Sequence, residues 1–316
     1  MLYRQMGSTG LRISAYALGT NAFGGRADEP TSINIIHHAI DQGITLIDTA
    51  NQYTGGRSEE IIGKAVRDRR DRVIVATKVG MKSGRGGVND ASSSRWSIRQ
   101  EVEGSLRRLQ TDYIDLYQIH QFDPHTPIEE TLRTLDDLVR QGTVRYVGCS
   151  NYAAWQLTRA LWLSERHNLV RYETVQPPYS PADRRIEREL VPCCLDQGVG
   201  MLVYFPLAGG VLTGKYRPDS PPPQDSRAVT QAPFADRLTQ KNLQLAQAIT
   251  ELSAEIGVTV AQLTLAWVIH RPGVTSALIG ATKVPQQEEN LRCLDIDMTD
   301  ELMERINTLS DDFVNF

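Results

Sequence analysis

The sequence predicts an α/β protein folded as a (β/α)8 TIM barrel, with residues 1–316 forming a single domain. Short apolar runs of strand character alternate strictly with amphipathic helical segments, and eight such pairs follow one another along the chain. A strand that is followed by a helix reaches its neighbour by a crossover, so the sheet is expected to be parallel. Eight units favour closure into a barrel, because open doubly wound sheets normally contain fewer strands.

The eight candidate strands are short runs rich in aliphatic residues and tyrosine. They are AYALGT (15–20), TLIDT (45–49), VIVATK (73–78), YIDLYQIH (113–120), VRYVGCS (144–150), YETVQP (172–177), GMLVYF (200–205) and TSALIG (275–280). Before them, YRQMGSTGLRIS (3–14) places a glycine-containing turn between two short extended runs. This segment predicts an N-terminal β-hairpin that covers the bottom of the barrel.

The intervening helical segments carry apolar residues at i, i+3 and i+4, and several end at a glycine, as helix C-caps do. They span 31–43, 57–68, 96–110, 127–142, 152–167, 183–198 and 259–273, with an eighth at 285–294. Each helix lies between two candidate strands or follows the last one. The alternation is therefore complete from the first unit to the eighth.

Two connections are longer than the others. The third and fourth strands start 40 residues apart (73 to 113), and the seventh and eighth start 75 apart (200 to 275). The extra residues are 81–94 and 208–237, followed by a predicted helix near 238–257. Both insertions follow the C-terminal end of a strand, which is the face that carries the active site in this fold. They favour a lid or a binding strap, with a tolerated surface insertion as the alternative.

Charge and hydropathy exclude several partner classes. A net charge of −4 and a pI near 5.9 give no electrostatic case for binding nucleic acid or an anionic membrane. The most apolar stretch, residues 198–212, is broken by glycine and proline and is too short to span a bilayer. The first ten residues lack the layout of a secretory signal. We therefore expect a cytoplasmic protein with neither a nucleic-acid nor a membrane partner.

The cysteines and histidines predict no metal site. Cys149, Cys193, Cys194 and Cys293 make no C-x-x-C pair, and the six histidines show no H-E-x-x-H pattern. We expect the four cysteines to be free thiols.

Four ionisable residues lie at or just beyond the C-terminal ends of three strands. Asp48 ends the second strand, Tyr53 follows it by five residues, Lys78 ends the third strand and His120 ends the fourth. Each residue alone has an ordinary interpretation, such as a helix cap, a surface aromatic or a rim histidine. In a barrel, however, these ends meet at one face, so together they predict a catalytic set.

The chemistry of this set is specific. A free tyrosine has a pKa of about 10 and donates its proton reluctantly at neutral pH. A neighbouring ammonium stabilises the phenolate, so we expect Lys78 to lower the pKa of Tyr53 and make it a better general acid. Asp48 would hold Lys78 charged and oriented against the penalty of burial. His120 would hydrogen-bond the reacting oxygen.

The chain resembles the aldo-keto reductase family over essentially its full length. The matching segments are IDTANQY with SEEIIGKA, VATKVG, LRRLQTDYIDLYQIH, VRYVGCSNY, Gln176 followed by PPYS, PLAGGVLTGKY, SRA and LIGATKVPQQEEN. The resemblance places the family's catalytic tetrad on Asp48, Tyr53, Lys78 and His120. It implies hydride transfer from NADPH to an aldehyde or ketone carbonyl of a small molecule, with Tyr53 as the proton donor.

The resemblance also implies a cofactor site, although no G-x-G-x-x-G motif follows the first strand. Around the nicotinamide, Ser150, Asn151 and Gln176 would bond the carboxamide and Tyr204 would stack on the ring. Thr20, Asn21 and Asp48 would line the same end of the cofactor.

The rest of the expected cofactor site follows the seventh and eighth strands. The pyrophosphate would lie beneath the loop Phe205, Pro206, Leu207 and Ala208, with Lys215 in contact. The adenosine end would meet Arg227 and a set around the last helix N-terminus: Gly280, Thr282, Lys283, Gln286, Glu289 and Asn290. A 2′-phosphate would suit Thr282, Lys283 and Arg227, which favours NADPH over NADH.

Three departures from the family pattern leave the tetrad intact. Asn51 and Gln52 replace the common Asp–x approach to the catalytic tyrosine. Phe205 stands where serine is common, which removes a hydroxyl near the pyrophosphate. Asn21 stands where tryptophan is frequent, which predicts a wider and more polar substrate mouth.

Phe23 and Phe122 suggest an apolar rim, with simple loop packing equally compatible.

Two other functions stay open on the sequence. An auxiliary subunit or redox sensor would bind the nucleotide and turn over slowly while it regulates a partner. A Schiff-base aldolase would use Lys78 as its nucleophile, but the cofactor-like segments then have no explanation. The sequence does not specify the physiological substrate, the direction of the reaction or the oligomeric state.

Overall fold

The computed structural model describes residues 1–84, 86–217, 220–224, 226–230 and 232–314. Eight parallel strands pair in chain order and close into a barrel, as predicted. The barrel strands are β3 (Tyr16–Gly19), β4 (Leu46–Asp48), β5 (Ile74–Val79), β6 (Ile114–Ile119), β7 (Val144–Ser150), β8 (Thr174–Gln176), β9 (Gly200–Val203) and β10 (Val274–Gly280). Strand β10 pairs with β3, which completes the ring.

The predicted N-terminal hairpin is present and closes the lower end of the barrel. Strands β1 (Tyr3–Gln5) and β2 (Arg12–Ser14) are antiparallel. Met6 and Ile13 are fully buried against the interior of the barrel. The guanidinium of Arg4 donates to the carbonyl oxygens of Ile269 and Val274, each at 2.6 Å, on the chain that leads into β10. The hairpin therefore covers the N-terminal strand ends of the barrel and leaves the C-terminal strand ends uncovered.

Helices surround the barrel in the expected positions. They are α1 (Glu29–Asp41), α2 (Arg57–Ala65), α3 (Arg95–Leu109), α4 (Ile128–Arg140), α5 (Ala154–His167), α6 (Leu190–Gln197), α7 (Arg227–Thr230), α8 (Ala232–Ala235), α9 (Gln240–Glu255), α10 (Val260–His270), α11 (Val284–Leu291) and α12 (Asp300–Leu309). Helix α9 confirms the extra helix expected near 238–257.

Two helical predictions differ from the structure. The segment 183–198 forms a 3-10 turn (Arg185–Glu187) and then the short helix α6, which begins two residues before Pro192. Proline is tolerated in the first turn of a helix but breaks a longer one, so the helix cannot extend upstream through it. Helix α12, capped by the side chain of Thr299, was not predicted. It packs against α9, outside the alternating units.

No single helix in the described ranges is long and apolar enough to span a membrane. Helices α9 and α10 reach that length and composition only as a pair, and the pair is bent by 96°.

The interior of the barrel changes from apolar to polar along each strand. Its lower layers are filled by a compact apolar cluster that includes Leu46, Ala76 and Leu116. Side chains two residues apart on a strand point to the same face, so the next inward positions are Asp48, Lys78 and Gln118. The same strands that build the core therefore deliver polar groups to its upper surface.

Helix α2, which follows the candidate tyrosine, packs closely on the end of α3 through a glycine. A Cβ atom at Gly63 would lie 2.5 Å from the carbonyl oxygen of Leu109 and 2.6 Å from its carbonyl carbon. Backbone atoms cannot move aside as the tip of a side chain can. The absence of a side chain at this position thus sets the distance between the two helices.

Gly63→Ala is expected to lower the free energy of unfolding by about 2 kcal/mol, although alanine is the better helix former. Gly104→Ala in α3 is the matched control, because a Cβ there meets only the end of the Arg108 side chain, at 3.0 Å. This control should be neutral or stabilising by up to about 1 kcal/mol. Urea unfolding of the two variants gives the comparison. Equal stability in both would contradict the assigned contact.

Candidate active site

The barrel brings the four predicted catalytic residues to one place at its C-terminal face. Asp48 ends β4, Lys78 lies in β5 and His120 follows β6 directly. Tyr53 begins the 3-10 turn Tyr53–Gly56 that leads into α2. The Nζ atom of Lys78 lies 5.2 Å from the centre of the Tyr53 ring, and the Tyr53 and His120 rings meet edge to face at 6.0 Å.

Lys78 and Asp48 form a buried ion pair. Lys78 is fully buried, and its Nζ atom lies 2.5 Å from Oδ1 of Asp48 and 2.7 Å from the carbonyl oxygen of Thr49. Burial works to lower the pKa of Lys78, but the interactions with Asp48 and Tyr53 together raise it above its ordinary value. A buried ammonium is tolerated only with such partners, so the lysine stays charged.

Tyr53 is held by a turn that requires unusual backbone angles. Thr54, Gly55 and Gly56 all have positive φ, which glycine adopts without strain, and the Thr54 hydroxyl donates to the carbonyl oxygen of Phe23 at 2.7 Å. Burial raises the pKa of Tyr53, and Asp48 adds to this effect. Lys78 acts in the lowering direction, as expected, but it does not prevail. The pKa of Tyr53 is therefore raised overall, which keeps its hydroxyl protonated.

His120 is almost completely enclosed, with 7% of its surface exposed. Burial, reinforced by the charge of Lys78, lowers its pKa to about 3. Among the described residues, its Nδ1 atom has no hydrogen-bond partner. The imidazole is therefore neutral at physiological pH and can donate or accept a hydrogen bond, but it cannot supply an acidic proton as imidazolium.

The residues expected around a nicotinamide form one connected group beside the tetrad. The Ser150 hydroxyl donates to the carbonyl oxygen of Gln176 at 2.8 Å. The amide of Asn151 donates to the carbonyl oxygen of His120 at 2.9 Å, and its oxygen accepts from the Tyr204 hydroxyl at 2.8 Å. The group contains the amide and hydroxyl partners that a carboxamide needs, next to an aromatic ring. These side chains therefore fit a nicotinamide.

The end of β3 contributes two residues in different ways. Asn21 is exposed and lies near Gly280 at the adjoining end of β10. Thr20 is fully buried, and its hydroxyl donates to the carbonyl oxygen of Asp48 at 2.8 Å. Thr20 therefore supports the β4 end from behind, and its expected role in lining the cofactor stays a prediction.

The loop after β9 has the shape of a phosphate cradle. Phe205 and Ala208 have positive φ, as do Gly209 and Gly210, so backbone groups are presented in a tight turn. Lys215 is exposed and its Nζ atom approaches Gly210, at 3.6 Å from where a Cβ would stand. Pro206 is buried and Leu207 half-buried within the same turn. The turn and the lysine fit a pyrophosphate.

Phe205, the departure from the family pattern, packs into an aromatic cluster. Its ring lies 5.8 Å from that of Phe234 and 4.9 Å from that of Tyr204. The guanidinium of Arg237 lies 4.8 Å from the Phe205 ring centre, within cation–π range. The ring thus links the start of the long insertion to its end.

The residues expected at the adenosine end surround the start of α11. Gly280, Lys283, Gln286 and Glu289 are exposed, and the Thr282 amide donates to Oε1 of Gln286 at 2.9 Å. Asn290 is only 4% exposed and lies on the inner side of the helix. A helix N-terminus with an adjacent lysine suits an anion. The side chain of Arg227 lies outside the described residues.

The rim of the site differs from expectation on one side. Phe23 is fully buried in the core, so it does not form part of an apolar rim. Phe122 is half-buried and makes edge contacts with Tyr152 at 5.5 Å and Trp155 at 5.8 Å. Trp155 is 57% exposed, so this aromatic cluster reaches the surface.

The loop after β5 is closed by one carboxylate. Asp90 accepts from the amide of Ser83 at 2.7 Å, from its hydroxyl at 3.0 Å and from the amide of Gly86 at 3.1 Å. Backbone hydrogen bonds from Ser83 and other loop residues lower the pKa of Asp90. The loop is therefore organised partly by contacts within itself, and its later residues are also bonded to Ser97 and Asp123.

Sequence analysis missed Gln118, which lies beside the tetrad. Its Nε2 atom donates to Oδ2 of Asp48 at 3.2 Å. Gln118 precedes His120 by two residues, and side chains two apart on a strand point to the same face. A polar residue two positions before the candidate histidine is therefore a sequence signal that could have identified Gln118.

Comparison with known proteins identifies relatives along almost the whole chain. The model of the "Aldo/keto reductase family" matches residues 16–311. The "Uncharacterized oxidoreductase YrpG" of Bacillus subtilis is 37% identical over 98% of this chain and 96% of its own length. The "Aldo-keto reductase YhdN" of the same organism is 36% identical over 100% and 95%. The "Probable voltage-gated potassium channel subunit beta" of Arabidopsis thaliana is 36% identical over 94% and 92%.

The lowered pKa of His120 predicts a dependence of stability on pH. A histidine in the unfolded chain has a pKa near 6.5, so below that pH the unfolded state binds a proton that the native state does not bind. Stability therefore falls as pH decreases from about 6.5 towards 3, and the loss from this group is about 2 kcal/mol between pH 6.5 and 4.5. His120→Asn lacks this imidazole, so the free energy of unfolding of the variant should decrease by about 2 kcal/mol less between pH 6.5 and 4.5 than that of the native protein.

Urea unfolding at both pH values, for the native protein and the variant, measures the difference. The same substitution at the exposed His125 controls for the general effect of removing an imidazole. If His120→Asn and the native protein lose stability in parallel, the neutral state of His120 is wrong.

Proposed function

Because the chain belongs to the aldo/keto reductase family, we propose that it reduces the carbonyl of a small aldehyde or ketone with NADPH, with Tyr53 as the proton donor. The observation that carries the proposal is the fully buried Lys78, paired with Asp48 and set beside Tyr53 at the upper end of the barrel. A charged lysine in such a place is maintained against a large desolvation penalty. Perturbed groups of this kind concentrate at catalytic sites.

The two candidate proton donors differ in their charge states. The raised pKa of Tyr53 keeps its hydroxyl protonated at neutral pH, so it holds the proton that the carbonyl oxygen acquires. His120, with a pKa near 3, is neutral and holds no acidic proton. We assign Tyr53 as the general acid and His120 as the hydrogen-bond partner that orients the carbonyl oxygen.

Lys78 and Asp48 support the proton transfer. As the proton leaves Tyr53, a phenolate develops, and the ammonium of Lys78 stabilises that charge. Asp48 keeps the ammonium in position through the contact at 2.5 Å. Bound NADPH supplies the hydride that adds to the carbonyl carbon. The pair of Lys78 and Asp48 thus acts on the tyrosine, and the tyrosine acts on the substrate.

The cofactor is assigned to the groups whose geometry suits it. Ser150, Asn151 and Gln176 would hold the carboxamide and Tyr204 would cover the ring, while the glycine turn at 209–210 with Lys215 would receive the pyrophosphate. At the adenosine end, Thr282 and Lys283 lie at the start of α11, where an added phosphate is favoured. This arrangement supports NADPH as the preferred nucleotide.

A second candidate function is supported by the names of the relatives. Three of them, from Arabidopsis thaliana, Oryza sativa and Schizosaccharomyces pombe, carry the name of a voltage-gated potassium channel subunit beta. A protein with that role would bind the nucleotide and oxidise it slowly. Steady-state NADPH oxidation with an aldehyde panel separates the two functions, because a sensor would show one turnover and then stop.

The structure disfavours the Schiff-base aldolase. A lysine nucleophile needs a lowered pKa so that its amine is free. Here the pKa of Lys78 is raised, and its ammonium is occupied by Asp48 and the carbonyl oxygen of Thr49. Borohydride reduction in the presence of a carbonyl compound should therefore leave no adduct on Lys78.

Tyr53→Phe is expected to lower kcat/KM for carbonyl reduction about a thousandfold, because it removes the transferred proton and leaves the ring. NADPH binding, measured by fluorescence titration, should change little. Tyr113→Phe is the matched control, since Tyr113 directly precedes β6, at the opposite end of the barrel from the tetrad, between Arg70 and Arg145. Equal turnover of Tyr53→Phe and Tyr113→Phe would refute the proton-donor assignment.

Lys283→Met is expected to raise the KM for NADPH about tenfold, which corresponds to about 1.4 kcal/mol, and to leave the KM for NADH unchanged. The reason is that the lysine would contact a group that only NADPH carries. Lys82→Met, on the loop after β5, controls for loss of one positive charge. A parallel increase in both KM values would remove the argument for a 2′-phosphate contact at this position.

A further inference from the structure

A buried cluster of three side chains joins Asp48 of the tetrad to two glutamines. Gln118 is fully buried, Gln176 is 2% exposed and Asp48 is 3% exposed. Oδ2 of Asp48 accepts from Nε2 of Gln176 at 2.9 Å and from Nε2 of Gln118 at 3.2 Å. The same Nε2 of Gln176 lies 3.3 Å from Oε1 of Gln118. The two amides and the carboxylate therefore contact one another in pairs.

The architecture of the barrel makes room for Gln118 in this cluster. Gln118 is the register partner of Lys78 on β5 and of Gly148 on β7. A Cβ atom at Gly148 would lie 3.4 Å from Cγ of Gln118 and 2.3 Å from Oγ1 of Thr174. A side chain at position 148 would therefore clash with Thr174 on β8 and come into contact with Gln118, whose amide reaches across the barrel to β4.

The two oxygens of Asp48 have separate partners. Oδ1 accepts from Lys78, and Oδ2 accepts only from the two glutamine amides among the described residues. The orientation of the carboxylate towards Lys78 therefore depends on the amides on its other side. Loss of both amides would leave Oδ2 buried without a donor, which is unfavourable for a carboxylate.

The two amides are not equivalent under the proposed function. Gln176 ends β8 and is assigned to the carboxamide of the nicotinamide. Asp48 and the carboxamide would therefore compete for its Nε2 atom. Gln118 lies one layer deeper, on β6, with no surface exposed to a ligand. A bound cofactor would compete with Asp48 for the amide of Gln176, whereas the buried amide of Gln118 would stay on Asp48.

We propose that Gln118 is a positioning residue, which holds Asp48 on Lys78 when Gln176 is engaged by the cofactor and thereby keeps the ammonium beside Tyr53. The proposal rests on the proposed carbonyl reduction and adds a residue to its support. Gln118 touches neither substrate nor cofactor, so it acts through Asp48. A glutamine that only filled space could be replaced by an apolar residue of similar length without effect on the chemistry.

The kinetic test uses Gln118→Met, which keeps the length and volume and removes the amide. With saturating NADPH, kcat is expected to fall at least tenfold while the KM for the carbonyl substrate stays within threefold. The alkaline limb of the kcat profile should also move to lower pH, because the Asp48 charge that helps to raise the pKa of Tyr53 is held less closely. Gln118→Leu serves as a second apolar variant if the methionine form folds poorly.

Gln287→Met is the matched control. Gln287 is a fully buried glutamine whose amide oxygen bonds His38 of α1, away from the tetrad. It should retain the kcat and the pH profile of the native protein. Unchanged kcat and pH profile in Gln118→Met would overturn the proposal, as would a loss of the same size in Gln287→Met.

Two further measurements do not depend on turnover. By fluorescence titration, Gln118→Met should bind NADPH within threefold of the native affinity, whereas Gln176→Met should bind at least tenfold more weakly. In a crystal structure with NADP+ bound, Nε2 of Gln118 should stay within hydrogen-bond distance of Oδ2 of Asp48. A Gln118 amide turned away from Asp48 in that structure would overturn the proposal.

These measurements distinguish failure of the proposed carbonyl reduction from failure of the positioning role of Gln118. If the native protein binds NADPH and reduces no carbonyl compound, the proposed function fails, while the crystal structure still decides whether Gln118 holds Asp48. If the native protein reduces carbonyl compounds and Gln118→Met does so equally well, the proposed function stands and the positioning role fails.

Discussion

The contact between Lys78 and Asp48 is the constraint on which the rest of the site depends. Placing an ammonium inside a barrel is unfavourable unless its charge is balanced nearby, and here the partner comes from the adjacent strand. Asp48 in turn is bonded by side chains from β6 and β8. Four of the eight strands thus meet at one carboxylate. The position of the ammonium is therefore set largely by the barrel strands, with the carbonyl oxygen of Thr49 just beyond β4 as a further partner.

Electrostatics gives the two neighbouring rings of the candidate site, Tyr53 and His120, different protonation behaviour. Both rings lie within reach of the same ammonium, but burial acts on them in opposite senses. It keeps the phenol of Tyr53 protonated and the imidazole of His120 unprotonated, since each is more stable in its neutral form in a poorly solvated place. One group consequently carries a proton to give and the other serves as a neutral hydrogen-bond partner. The two rings are neighbours, so their different protonation states result from their different chemistry and not from different locations.

Periodicity was enough to predict the barrel, the hairpin and the convergence of the four strand ends. These features depend on which residues are apolar and on the rule that parallel strands end at one face, both of which are local or topological. The lowering effect of Lys78 on the Tyr53 pKa was predicted, but the net direction was not, because it depends on how deeply the ring is enclosed by distant segments. The choice between a rim position and packing in the interior for Phe23 depends on the same enclosure. Gln118 was overlooked because a glutamine has no titratable group, and its importance lies entirely in what it touches. The α12 helix was not predicted because it stands outside the alternation that guided the assignment.

The loop after β5 has a consequence for how the molecule can change. Asp90 accepts hydrogen bonds from the amides of Ser83 and Gly86, so these loop residues are held by a carboxylate of the loop itself and not by the tetrad. The bonds that shape this loop are therefore separate from those that hold the buried ion pair. We expect changes of length or sequence in this connection to reshape the entrance of the candidate site while the ion pair is retained.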